Sequence, residues 1–250
     1  MRKNKFIVFF FCVLFLFVSF TGCQVDKTDY ATKINEITLN KMSANVKIEV
    51  YNKAIIIETM VAEGSGVIYD VKTVAGSGND DTFEYYVLTN NHVVSVEVDN
   101  TKVFYLYDYL GVKYAGELVA KNSSADLSVL KFSTTNTLSK IEFANNLPKE
   151  NEPVFAVSTP ASQPNAITVG KFIGLVDAPI VEDVGSNIKF KVIKHSAQIK
   201  HGSSGSMLLN KDLQLVGVNY AGITDVDTKQ YLSSLAIPVN RVNEFLQSVD

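Results

Sequence analysis

Beyond a polar stretch at residues 24–44, where Lys, Asp, Thr and Asn interleave, β-branched and aromatic residues recur in short runs at close spacing. Runs at 46–50, 54–62, 65–69, 83–89, 102–107, 112–120 and 127–132 make a first set. The Gly/Asn/Asp-rich stretch 75–81 between two of them reads as an exposed hairpin loop. After Asn145-Asn146-Leu147-Pro148-Lys149 a second set follows at 153–158, 166–176, 187–199, 207–209, 213–220 and 231–237. Within it Lys189-Phe190-Lys191-Val192-Ile193 alternates polar and apolar, the pattern of a half-buried strand. Only 239–249 has helical spacing, with Val239, Val242, Phe245, Leu246 and Val249 on one face. Many short strands closed by one helix predict an all-β fold. The two sets on either side of residue 145 predict two β-barrels with a cleft between them, divided as 46–145 and 146–250.

The first residues bear on where this body works. Met1 to Lys5 is a positive stretch and 6–20 an apolar run broken only by Ser19, the make-up of a secretory signal and short of the ~20 residues that span a bilayer. The segment ends Ser19-Phe20-Thr21-Gly22-Cys23, which resembles a bacterial lipoprotein signal with Cys23 acylated as the first mature residue. The resemblance implies a signal at 1–22, an extracytoplasmic location and a lipid anchor in a membrane, with an uncleaved signal anchor or plain secretion as the alternatives, and the polar, irregular composition that follows reads as a tether or partly ordered arm at 23–45. Cys12 and Cys23 are the two cysteines, so the body holds no thiol nucleophile, no disulfide pair and no cysteine-ligated zinc. Removing 1–22 takes away three positive charges and no negative ones, moving the formal charge from -3 to -6. A mildly acidic body without basic patches excludes nucleic acid as a partner.

The candidate chemistry lies in His201-Gly202-Ser203-Ser204-Gly205-Ser206, a small-residue turn between two apolar runs. Such a turn alone is usually just a turn. Upstream, however, stand Thr89-Asn90-Asn91-His92-Val93-Val94 and Ala125-Asp126-Leu127-Ser128-Val129-Leu130. A serine hydroxyl is a poor nucleophile until an imidazole accepts its proton, and the imidazole needs an acid on its far side to hold one tautomer. His92, Asp126 and Ser204 supply those three groups. Taken singly, His92 is a polar loop residue, Asp126 a cap behind Asn122-Ser123-Ser124, and Ser204 an inert turn serine.

Together with Gly64-Ser65-Gly66-Val67-Ile68, and with Ala236-Ile237-Pro238 before the last helix, these blocks resemble in order the signatures of the HtrA/Deg branch of chymotrypsin-like serine proteases. The resemblance spans roughly 63–246 and implies two six-stranded antiparallel β-barrels with the triad at their junction. It makes His92 the general base, Asp126 its orienting acid and Ser204 the nucleophile, with backbone N–H groups of Gly202 and Ser204 as oxyanion hole. Ser203 stands where the family usually has asparagine or aspartate, Ser206 where it has a second glycine, and Met207 where it has proline. These departures leave the reacting groups intact and bear on the stiffness of the hole.

By the same resemblance Gln198, His201, Asn219 and Tyr220 belong to the specificity pocket, whose wall 196–200 is flanked by His195 and His201. Those histidines raise the option of an acidic preference, but Asn219 replaces the histidine with which glutamyl endopeptidases read glutamate. Gln198 leaves a lysine or arginine without a charge partner. A small or medium apolar residue is the expected preference. Peptide hydrolysis through an acyl-enzyme on protein or peptide substrates, with no metal and no organic cofactor, is the leading expectation. A protease-fold module that binds peptide without turnover, and a hydrolase of carbon–oxygen bonds, are the alternatives. The family commonly appends a PDZ domain and forms trimers; with the chain stopping at Asp250, no PDZ domain is expected.

Overall fold

The computed structural model describes residues 30–74, 81–160, 163–180, 188–225 and 227–249. The signal at 1–22, Cys23 and most of the loop expected at 75–81 lie outside the described residues. Six strands, β1 (Asn45–Lys53), β2 (Glu58–Val74), β3 (Thr82–Thr89), β4 (Thr101–Tyr107), β5 (Lys113–Asn122) and β6 (Leu127–Thr134), pair in the order β1-β2-β3-β6-β5-β4. Antiparallel pairing of β1 with β4 closes them into a barrel. A second closed barrel, in the order β10-β11-β12-β9-β8-β7, is built from β7 (Pro153–Ser158), β8 (Ala166–Asp177), β9 (Lys191–His195), β10 (Met207–Leu209), β11 (Leu215–Thr224) and β12 (Tyr231–Pro238). Helix α3 (Val239–Leu246) ends the fold and buries Val239, Val242 and Phe245, the face its spacing predicts. The expected all-β fold of two six-stranded barrels and a C-terminal helix is therefore observed.

The reason is visible in the registers. Inward positions carry β-branched and aliphatic residues, such as Val46, Ile48 and Val50 of β1 against Val67 and Ile68 of β2, which pack well on a pleated half-buried surface. One apolar cluster runs through both barrels, from Val46 to Val218 and Ile237, and a smaller one fills the second barrel around Val154, Ile193 and Val216. The joint between barrels also carries polar ties: Asn45 Nδ2 donates to Thr159 Oγ1 and to Asn165 Oδ1 at 2.6 and 3.1 Å.

Three stretches differ from the pattern-based expectation. Residues 30–40, expected in the irregular arm, form helix α1 (Tyr30–Asn40); Ile37 is buried and the Tyr30 ring meets Phe155 edge-on at 6.3 Å, so burial rather than the arm's weak apolar pattern orders it. The run 54–62 is not one strand: Ala54 N–H donates to the Ile57 carbonyl at 2.9 Å and closes a hairpin tip between β1 and β2. The run 187–199 yields only the five residues of β9, because the chain leaves the sheet after His195. There Ala197 packs where a Cβ on Gly170 would sit, 2.0 Å from its N, and its carbonyl accepts the hydroxyls of Tyr231 and Ser234.

Candidate active site

His92 sits on α2 (Asn91–Val94), the single turn that follows β3, and Asp126 ends the tight loop between β5 and β6. That loop is wound by Asn122 Oδ1, which accepts the Ala125 N–H at 2.9 Å, and Asp126 itself adopts φ 52°, a left-handed conformation that aspartate tolerates better than most residues. The turn delivers a carboxylate that is 1 % exposed. Its Oδ1 accepts the backbone N–H of His92 at 2.9 Å and its Oδ2 accepts Nδ1–H of the ring at 2.8 Å. A carboxylate only accepts, so this contact requires the proton on Nδ1 and leaves Nε2 as the acceptor. Asn90 Nδ2 holds the Asp126 carbonyl at 2.9 Å from the other side.

Ser204 lies on the loop that leads into β10, in the second barrel. It and His92 line one cleft of about 470 Å³ between the barrels, together with Val61, Ala62, Glu63, Ile199, Lys200, His201, Tyr220, Ala221 and Gly222. Its hydroxyl donates to the Tyr220 carbonyl at 3.4 Å, a long bond, instead of to His92. Among the described residues no acceptor takes the backbone N–H of Gly202 or of Ser204, so neither donor is spent within the loop.

The loop is pinned from the first barrel by Ser65. Its N–H donates to the Ser204 carbonyl at 2.7 Å and its Oγ to the Gly202 carbonyl at 2.8 Å. Ser65 Oγ in turn accepts the Thr159 N–H, and its carbonyl accepts Thr89 Oγ1. Gly202 and Gly205 carry the left-handed turns, at φ 85° and 88°. At Gly205 a Cβ would stand 2.1 Å from the Ser65 carbonyl and 2.2 Å from Thr89 Oγ1, so only glycine fits. Ser203 is buried and its hydroxyl reaches Ser158 Oγ at 3.1 Å, while Ser206 Oγ accepts Asn219 Nδ2 at 2.9 Å. The unusual serines of the loop are thus tied into its walls. The positioning roles of Ser65, Thr89 and Ser158 were not read from the sequence. Ser65 and Thr89 stand inside the motif blocks; nothing marks Ser158.

The pocket residues separate. His201 and Tyr220 line the cleft, while Gln198 and Asn219, expected beside them, do not. Gln198 is exposed, with its carbonyl held by Thr168 Oγ1. Asn219 is buried and spent on the barrel interior: its Oδ1 accepts from His195 Nε2 at 2.9 Å. His195 does not face the cleft either. It is 0 % exposed, its Nδ1 has no partner, and burial pushes its pKa down to about 4 despite the bond to Asn219. Tyr220 is pushed the other way, well above the usual phenol range, by burial and by the nearby Asp126 charge.

The model of the trypsin-like peptidase domain matches residues 64–218. The chain is similar to a serine protease Do-like HtrA of Bacillus subtilis (strain 168), 29% identical over 195 residues, which is 77% of this chain and 40% of that one. A serine protease Do-like HtrA of Lactobacillus helveticus is 29% identical over 204 residues, 80% of this chain and 43% of the relative. A probable periplasmic serine endoprotease DegP-like of Buchnera aphidicola is 27% identical over 189 residues, 75% and 36% of the two chains. Matches thus span about two-fifths of these relatives' length.

Proposed function

Because the chain belongs to the trypsin-like peptidase domain family and its relatives are HtrA-like serine proteases, we propose that it is a serine endopeptidase acting through an acyl-enzyme. The observation that carries this reading is the buried Asp126 carboxylate holding both the backbone and Nδ1–H of His92 in the cleft that Ser204 lines. Ser204 Oγ rotates from the Tyr220 carbonyl to His92 Nε2, gives up its proton there and attacks the carbonyl carbon of the scissile bond. The oxyanion that forms meets the free N–H groups of Gly202 and Ser204, donors whose loss typically costs about 10²–10³-fold in rate. The imidazolium returns its proton to the leaving amine. Water, deprotonated by the same imidazole, then releases the acyl group and restores the serine.

Substrate choice follows from the walls. Ile199, Ala221 and Gly222 put an apolar wall beside Ser204 in the cleft. A small or medium apolar residue is the preferred one at the cleaved position.

The serine's resting bond to the Tyr220 carbonyl favours one other reading, a module that binds peptide without cleaving it. A fluorophosphonate probe decides between them. The wild type should be labelled and Ser204→Ala should not, with a peptide library cut after alanine- or valine-sized residues. A folded, unlabelled wild type establishes the binding module, and a profile dominated by acidic or basic residues overturns the pocket assignment.

The location rests on residues 1–23 alone: the protein works outside the cytoplasm, tethered through acylated Cys23. Intact mass of membrane-extracted protein should match a mature chain beginning at a lipid-modified Cys23. A mass that starts at unmodified Met1 refutes the anchor.

A further inference from the structure

The connection between β1 and β2, residues 54–57, is apolar where a surface turn is ordinarily polar. Gly, Asn, Asp and Ser dominate such turns and face water. Here the positions are Ile55 and Ile56, 102 % and 92 % exposed, followed by Ile57 at 65 % and Met60 at 47 %. The tip is not loose: Ala54 N–H and the Ile57 carbonyl close it, and Lys53 and Glu58 pair at its base at 2.7 Å, with Tyr105 OH also on Glu58. Among the described residues nothing covers Ile55 or Ile56, and Ile57 and Met60 are left largely open. A contiguous apolar lobe held rigidly in water is the mark of a contact surface.

Its position says what it contacts. The lobe continues along β2 into the cleft, whose wall includes Val61, Ala62 and Glu63. At about 3.3 Å per residue, the five steps from Val61 back to Ile56 cover at most roughly 17 Å, the reach of five or six residues of an extended substrate. Over that length β2 pairs with β1 on one side only, because β3 joins it from Val67 onward. Among the described residues no strand lies along the other edge of 58–64. An open edge leading out of a cleft is the arrangement that takes up an extended chain by main-chain hydrogen bonds.

We propose that Ile55, Ile56, Ile57 and Met60 form a docking lobe for an extended apolar segment of the substrate polypeptide, flanking the scissile bond and laid along the free edge of β2. The inference rests on the proposed peptide cleavage.

Two peptides with the same scissile segment test it, one ending at the cleft and one extended by eight mostly apolar residues on each side. With wild type the extended peptide should have a KM at least ten-fold lower. In the triple variant Ile55→Ser, Ile56→Ser, Ile57→Ser that advantage of long over short peptide should shrink to two-fold or less. A preserved ratio overturns the proposal. So does a wild type that sediments as a dimer where the variant is monomeric, or that binds phosphatidylglycerol vesicles where the variant does not, each with the ratio unmoved. Should the fluorophosphonate leave Ser204 unlabelled, the cleavage reading has failed by itself. Anisotropy of the extended peptide, tight to wild type and weak to the variant, then still decides the docking.

Discussion

At Asp126 one carboxylate fixes both the backbone and the ring of His92, so the proposed base and its orienting acid are held as a unit before any substrate arrives. The legibility of this unit had limits set by its chemistry. His92 and Asp126 announce themselves through residue type within their blocks, whereas the φ of 52° at Asp126 is a property of the wound loop that no side chain spells out. His195 shows the opposite case, a residue placed near the pocket by chain order and turned into the second barrel by the pleat of β9. Its pKa of about 4, against the usual 6.5, makes it a stability probe. Between those values the unfolded chain takes up a proton that the folded one refuses. Stability is therefore full above pH 6.5 and falls as pH drops toward 4, by roughly 3 kcal/mol in all. Urea unfolding of wild type should show this slope, and His195→Gln should flatten it between pH 6.5 and 4.

The loop 202–206 is the element whose backbone conformation the proposed activity depends on most. Gly205→Ala adds a Cβ against the Ser65 carbonyl and Thr89 Oγ1 at a φ of 88°, so the loop must shift as well as strain. Gly111 separates the two effects: it has φ 84° with nothing within 4 Å of a Cβ. Gly111→Ala should lower stability by about 1 kcal/mol in urea and leave turnover alone. Gly205→Ala should lower stability further and reduce kcat/KM by at least about 10²-fold, since displacements of an ångström at the hole have effects of that size. An activity loss shared equally by both variants sinks the argument. Short apolar strands bounded by turn material, such as β7 and β10, were readable to the residue. The β1–β2 hairpin was not, because Ile55 and Ile56 carry none of the turn chemistry that marks a reversal. Helix α1 was hidden for a related reason: Ile37 and Tyr30 find their partners in distant parts of the fold, which local periodicity does not record.

Across the whole molecule the division of labour is uneven. His92 and Asp126 belong to the first barrel and Ser204 to the second, and the two halves meet at the site through Ser65, which holds two carbonyls of the nucleophile loop while accepting the N–H of Thr159. Two barrels were legible from two sets of strands; the joint was not, since serine and threonine at its centre look like ordinary strand residues. Ser65 makes the site a strain gauge for that joint. A slight slip of one barrel on the other moves the hole and the base apart while every strand keeps its ladder, so function is lost to a motion that backbone spectroscopy does not register. On heating, hydrolysis should fail several degrees below the midpoint of far-UV circular dichroism, and cooling from that interval should restore it in full. Coincident midpoints would mean that the barrels part only when they melt.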